Sequence, residues 1–403
     1  MFNKITLKNY RTHRETTVEF GAVTLLIGNN NSGKSNLLAG IQHFSSLVKK
    51  GSVTKNDYFS HLYRLAKDNE GMSIVVNWEN DHGKIVYKME LYSGKRGTVA
   101  CKEEIHVISS EDEQQVTHGF DQQCTVCGLR KMIETATDLQ NITKQLCREF
   151  FSAFASIFSY HLQPSFLKGS VKSDLKSDEL RGKVNILEKF GYEGRNLQEL
   201  ILYIKNNDEK VFSRFTAFMR RFSNIFNGIR ENDAKTAIWE FDLGRKEPQG
   251  LLDEFSPSFV SDGMLKASAI ALLLSVERPP ALILLEEIEN GINPANIKLL
   301  MDWIWQAAAL NSNKSSTQFI LTSHSPSVLR EFYDKPHCVY VVRLEKRNFS
   351  STVTNLNLAL KTLRDIGSID DADDIEIIEE PDRQIIQIPK YRLAELWYSG
   401  TIG

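Results

Sequence analysis

Gly28-Asn29-Asn30-Asn31-Ser32-Gly33-Lys34-Ser35 is the stretch of this 403-residue chain best equipped for chemistry. Its spacing is G-x-x-x-x-G-K-S, preceded by the β-rich run Val23–Ile27 and followed by the helix-compatible Asn36-Leu37-Leu38-Ala39. Glycines at the ends of such a loop let the backbone wrap a polyphosphate. The loop amides and the helix start then supply donors and a partial positive charge. Lys34 is placed to reach β- and γ-phosphates and the Ser35 hydroxyl to hold Mg²⁺, so Gly28 to Asn36 are the expected nucleotide contacts. A chance glycine turn is the competing explanation, and the strand-loop-helix context argues against it.

A phosphate loop by itself suits kinases, GTPases and many ATPases; later residues narrow the choice. Leu282–Leu285 is an apolar strand that ends in Glu286-Glu287, and ligands bind at the carboxyl ends of buried parallel strands. There Glu286 would hold Mg²⁺ through its water shell, and Glu287 would polarise the attacking water. The alternative is an acidic pair at a helix N-terminus, favoured by the helix dipole. His324 ends the next apolar run, Gln318–Leu321 and its neighbours, where an imidazole can bond a γ-phosphate and sense its loss. Ser261-Asp262-Gly263 stands immediately before a helix, as either another anion-binding terminus or an N-cap; taken alone, the cap is the better explanation.

The elements that must position these residues follow from periodicity. Ile5–Leu7 and Thr17–Phe20 read as short strands, and Ser73–Glu79 with Lys84–Leu91 reads as a hairpin turning at Asn80–Gly83. Leu139, Ile142, Leu146 and Phe150 recur at helical spacing. Lys168–Lys189 mixes charges around few apolar positions and reads as an exposed linker or helix. Asn196–Phe226 reads as one or two helices, and Arg214, Arg220, Arg221 and Arg230 suit a solvated face better than a phosphate backbone. From Ala237 to Val342 strands and helices alternate, which predicts a mainly parallel sheet covered on both faces. The expected division is 1–165, a β-rich first lobe; 166–233, a helical insertion; and 234–403, a second lobe.

With 25% charged and 41% hydrophobic residues and a net charge of -2, the chain has the composition of an ordinary globular protein without a global basic signature. No apolar run is long enough for a bilayer, and Met1–His13 lacks the apolar core of a signal peptide, so a cytoplasmic location without membrane partners is expected.

Together these motifs resemble the ABC-type ATPases of the RecF, SMC and OLD group, above all their short rod-less members. The resemblance implies a P-loop α/β head with a mainly parallel core sheet, an antiparallel β lobe and a helical insertion. It identifies Gly28–Ser35 as Walker A, Ser261–Gly263 as the signature, Leu282–Glu287 as Walker B, Glu289–Pro294 as the D-loop and His324 as the switch histidine. His161-Leu162-Gln163-Pro164-Ser165 falls where the Q-loop belongs, which makes Gln163 a Mg²⁺ or water ligand, and Gly194–Leu197 looks like a recurring segment of the short members. Glu286 stands where many members have Asp, and Asn293 where many have His. The signature is not the transporter form.

What the resemblance implies is ATP with Mg²⁺ bound between two copies arranged head to tail, with hydrolysis reopening the pair. Three roles are compatible: a sensor or scaffold that controls a separate effector, such as a nuclease in antiphage defence; a DNA-repair or DNA-maintenance clamp; and a nucleotide-binding scaffold with little turnover. Cys124-Thr125-Val126-Cys127 is half of a zinc pattern without a second half, and Asp370–Glu376 is read as a solvated acidic loop rather than a nuclease metal site. Leu393–Tyr398 is expected to pack as an amphipathic helix.

Overall fold

The computed structural model describes residues 1–67, 70–94, 98–109, 115–123, 125–126, 128–135, 141–169, 185–244, 252–277, 279–309, 317–369, 375–381 and 383–402. Two compact units emerge: Met1–Phe158 with Pro280–Leu284 and Thr317–Gly403, and Ser159–Pro279 with Leu285–Ser316. These boundaries differ from the divisions expected at 165 and 233. Ser261–Gly263 and the Glu286-Glu287 pair share a unit with the segment expected as an insertion.

The chain opens with strands β1 (Phe2–Tyr10), β2 (His13–Glu19) and β3 (Val23–Ile27), then helices α1 (Lys34–Lys50) and α2 (Lys55–Phe59). Strands β4 (Met72–Asn80), β5 (Gly83–Ser93), β6 (Val99–Ser109) and β7 (Gln115–Gln123) precede α3 (Gly128–Thr135) and α4 (Asn141–Ala155). An antiparallel sheet of order β2-β1-β4-β5-β6-β7 results. The expected hairpin is present, with Asn80 paired to Gly83.

The next segment holds β8 (Phe158–Tyr160), α5 (Pro164–Leu167), α6 (Ile186–Phe190), α7 (Leu197–Asn207) and α8 (Glu209–Phe222). Strands β9 (Phe226–Glu231), β10 (Ala237–Phe241) and β11 (Asp253–Phe255) follow, then α9 (Asp262–Ser275), β12 (Leu282–Leu285) and α10 (Pro294–Ala309). The second unit is therefore not purely helical: β11-β10-β9 form an antiparallel sheet of their own. Residues 170–184 of the charged stretch lie outside the described residues, but Ile186, Leu187 and Phe190 of α6 are buried, so the end of that stretch is core rather than linker. Trp303 of α10 meets the rings of Phe218 and Phe222 on α8, and Gln198 of α7 joins the Trp239 indole of β10 to the Leu167 carbonyl of α5.

The chain ends with β13 (Gln318–Ser323), α11 (Pro326–Leu329), β14 (Val339–Glu345), β15 (Ser350–Asn355), α12 (Leu356–Asp365), the hairpin β16 (Glu376–Glu380) and β17 (Arg383–Gln387), and α13 (Lys390–Tyr398). In the first unit, strands in the order β15-β14-β3-β13-β12 form the parallel-rich sheet. β3 is parallel to both β13 and β14, while β14 and β15 are antiparallel. Every residue of β3 and β13 is buried, as a central strand covered on both faces requires. Leu37, Leu38, Ile41 and Phe44 of α1 share one core with Ile5 and Leu7 of β1, Phe150 of α4, and Leu282, Ile320 and Val342 of the parallel sheet. Leu393 and Leu396 of α13 are buried, as its amphipathic pattern predicts. Asp370, Asp371, Asp373 and Asp374 lie outside the described residues, and Glu376 opens β16. No described helix is long and apolar enough to cross a membrane.

Candidate nucleotide site

In the first unit the phosphate loop leaves the carboxyl end of β3, and Lys34 begins α1. Gly28 is required by a close approach: a Cβ there would stand 2.2 Å from the Val342 carbonyl oxygen and 2.8 Å from Ser32 Oγ. Gly33 has φ 109, which side-chain-bearing residues rarely adopt. Lys34 Nζ donates to the carbonyls of Gly28 (2.7 Å) and Asn29 (2.9 Å), so the ammonium spans the loop that it follows. Asn29, Asn30, Asn31 and Ser35 are exposed, and Asn36 is half-buried. Ser32 Oγ is buried without a hydrogen-bond partner among the described residues, an orphan polar atom in a loop suited to an anionic oxygen.

Three residues support this loop that no sequence motif singled out. His13 on β2 is fully buried, with Nδ1 2.9 Å from Thr16 Oγ1 and Nε2 2.9 Å from the Gly33 carbonyl. Burial lowers its pKa to about 4, partly opposed by the Gly33 hydrogen bond, so the ring is neutral at pH 7 and Nε2–H donates. The Ser351 hydroxyl donates to the Ser32 carbonyl at 2.7 Å and lies 2.8 Å from Thr12 Oγ1, which also accepts from Asn36 Nδ2. Tertiary adjacency alone reveals these supports.

His324 follows β13. Ser323 pairs with Ile27 in the parallel ladder, so His324 and Gly28 leave neighbouring strands at the same end. His324 is exposed. Buried Ser323 accepts from Ser325 N–H through its hydroxyl, and Ser325 caps α11 through Ser327 N–H, which fixes the turn that carries the imidazole.

The acid pair, in the second unit, is held on several sides. Glu286 is 6% exposed; its amide donates to the Tyr160 carbonyl at 2.8 Å and its Oε1 accepts from the Tyr192 hydroxyl. Burial and that hydrogen bond push the Tyr192 phenol pKa well up. Glu287 has φ 48, the left-handed region, which costs a non-glycine residue on the order of 1 kcal/mol or more. Lys266, 1% exposed on α9, donates to the Glu287 carbonyl at 3.0 Å and the Leu162 carbonyl at 2.9 Å, and burial lowers its pKa to about 8. His161 Nε2 lies 3.3 Å from Glu287 Oε2. Gln163 precedes Pro164 at the start of α5, and the side chain of this segment that meets the pair is His161.

Ser261 is the N-cap of α9, its hydroxyl accepting from Met264 N–H at 3.3 Å, so the cap explanation holds for the side chain. A Cβ on Gly263 would lie 3.0 Å from the Gly291 carbonyl oxygen, which seats the start of α9 against the turn after the acid pair. Asn293 Oδ1 accepts from Ala295 N–H, so asparagine before Pro294 serves as a cap at the start of α10. Cys124 and Cys127 lie outside the described residues; Cys101 and Cys147 are buried.

A family model described as "AAA domain, putative AbiEii toxin, Type IV TA system" matches residues 145–330. That range takes in the acid pair, Ser261 and His324 but starts after the phosphate loop. The match spans 186 of the 403 residues. The chain is 22% identical over 160 residues to the DNA double-strand break repair Rad50 ATPase of Sulfolobus acidocaldarius, a match covering 37% of this chain and only 18% of that relative's length. It is also similar to the Smc head domain with an extended coiled coil bound to the C-terminal domain of ScpA from Pyrococcus furiosus, at 14% identity and TM-score 0.45 over 91% of this chain and 99% of that one. Taken singly, the exposed Ser35 hydroxyl and the Glu286 carboxylate are each hard oxygen donors, the type that Mg²⁺ accepts.

Proposed function

We propose that the protein binds and hydrolyses ATP, closing head to tail with a second copy of itself when ATP is bound, and that this motion controls a separate effector. One register supports the nucleotide role above all: Ser323 opposite Ile27 sets the phosphate loop and His324 at the same end of adjacent strands. In this proposal the loop amides and Lys34 bind the phosphates, with Asn29, Asn30, Asn31, Ser32 and Asn36 around them. Ser35 and Glu286 hold Mg²⁺, with Gln163 as a further ligand, and the ion neutralises phosphate charge. Glu287 orients water, and His324 contacts the γ-phosphate. Ser261 and Gly263 of the second copy complete the site. Control of an effector, such as a nuclease in antiphage defence, rests on fold-level analogy.

Similarity to a DNA double-strand break repair ATPase favours a second role, a DNA-repair clamp. Two of the basic residues it would use are already engaged: Arg230 by Glu254 and Glu240, and Lys168 by Asp262. A nucleotide-binding scaffold with little turnover is the third. Glu287→Gln should give an ATP-dependent dimer on sizing chromatography and Lys34→Ala none; identical elution of both would refute the closure. Phosphate release separates ATPase from scaffold, and ATP-stimulated, salt-sensitive duplex binding would favour the clamp.

A further inference from the structure

The acid pair is gripped by side chains that no phosphate-loop chemistry requires. Tyr192 donates its hydroxyl proton to Glu286 Oε1, and His161 meets Glu287 Oε2. The two holders are also joined to each other. His161 N–H donates to the Tyr192 carbonyl at 2.8 Å, and their rings meet edge to face, with centroids 6.2 Å apart and planes at 77°. One backbone hydrogen bond thus unites the supports of two adjacent carboxylates, all within the second unit.

A carboxylate free to rotate presents either oxygen to a cation. With Oε1 engaged by the phenol, Glu286 is left one oxygen in a fixed direction. A phenol also leaves the carboxylate's charge uncancelled, which a lysine there would not. Nothing in packing demands the hydroxyl, because Tyr192 is 48% exposed.

We propose that Tyr192 is a positioning residue for the divalent cation: it orients Glu286 so that the second carboxylate oxygen faces the ion's hydration shell, and His161 fixes Tyr192 in place. This rests on Glu286 serving as a metal ligand, and the experiment separates the two claims. Mn²⁺ serves as the probe, titrated into the full chain with ATP present and read as free ion by electron paramagnetic resonance. Tyr192→Phe keeps the ring and removes the donor. Its half-saturating Mn²⁺ should rise about tenfold, the cost typical of losing a carboxylate's outer hydrogen bond, while metal-free ATP affinity stays within about twofold of wild type. In a Glu286→Gln background the Tyr192→Phe change should add nothing, since the two act through one oxygen. If Glu286→Gln weakens Mn²⁺ and Tyr192→Phe does not, the positioning role is overturned and the metal role of Glu286 stands. If Glu286→Gln leaves Mn²⁺ binding unchanged, both fall.

Discussion

Nε2 of His161 stands 3.3 Å from Oε2 of Glu287, a residue whose backbone is held at φ 48. A strained backbone persists where its surroundings over-determine it, and here the carbonyl is tied to Lys266 and the carboxylate to His161. His161→Ala should release the carboxylate while leaving the phosphate loop intact. Turnover should fall about a hundredfold, the lower end for losing a positioned acid–base partner, with ATP affinity unchanged. Steady-state phosphate release beside nucleotide titration checks this; equal losses in both would point to misfolding instead.

Lys266→Met keeps most of the buried stem and removes the ammonium. The carbonyls of Leu162 and Glu287 would each lose a buried donor. The expected loss is about 1–3 kcal/mol of unfolding free energy, the range for an orphaned buried polar group, measured by urea denaturation. A stability equal to wild type would mean water replaces the ammonium.

Gly28→Ala should be severe although alanine is the smallest change available. The new methyl would meet the backbone carbonyl of Val342 at 2.2 Å, and a strand carbonyl cannot swing aside as a side chain can. Stability should drop by about 1–3 kcal/mol from overpacking, and ATP affinity should be lost. Denaturant midpoints and isothermal titration report the two effects separately.

Acid should weaken the first unit in a defined window. His13 and His43 both have pKa values lowered to about 4, in each case by burial first. Their unfolded values lie near 6.5, so between these limits the unfolded chain binds protons that the folded chain does not, and stability falls as pH falls. Above pH 6.5 the contribution is fully present. Each group should forfeit on the order of 3 kcal/mol by pH 4. Urea midpoints should therefore decline from pH 6.5 downward, and His13→Gln should flatten the decline. A flat profile from pH 6.5 to 4.5 would be inconsistent with two neutral buried imidazoles.

Much of the frame was legible because local patterns and tertiary demands agree. Glycine ends and a following lysine mark the loop and the start of α1, and the apolar runs Val23–Ile27 and Leu282–Leu285 are strands because nothing else buries both faces. Strand β6 escaped because its alternation is broken at a core position: Glu103 is 2% exposed, accepting from the Tyr87 hydroxyl at 2.7 Å and Gly128 N–H at 2.8 Å. A buried carboxylate reads locally as a surface residue. Strand β9 was folded into the preceding helix because Phe222 and Phe226 continue a helical apolar spacing across the break at Ser223. Among the candidate residues, the strands that carry the acid pair and His324 were legible from their apolar runs. Tyr192 and His13 were not, because each acts on a residue far along the chain or through a backbone carbonyl that carries no sequence signal.

The bonds from Lys34 to the Gly28 and Asn29 carbonyls have a thermodynamic consequence. A phosphate arriving at the loop meets an ammonium whose donors already have acceptors. Binding is then an exchange of neutral acceptors for an anionic one rather than the filling of a bare charge. The desolvation of the lysine was settled when the chain folded. Replacing Lys34 consequently changes two states, taking a crosslink from the ligand-free loop as well as a contact from the liganded one, so the affinity lost on mutation measures only the difference between them.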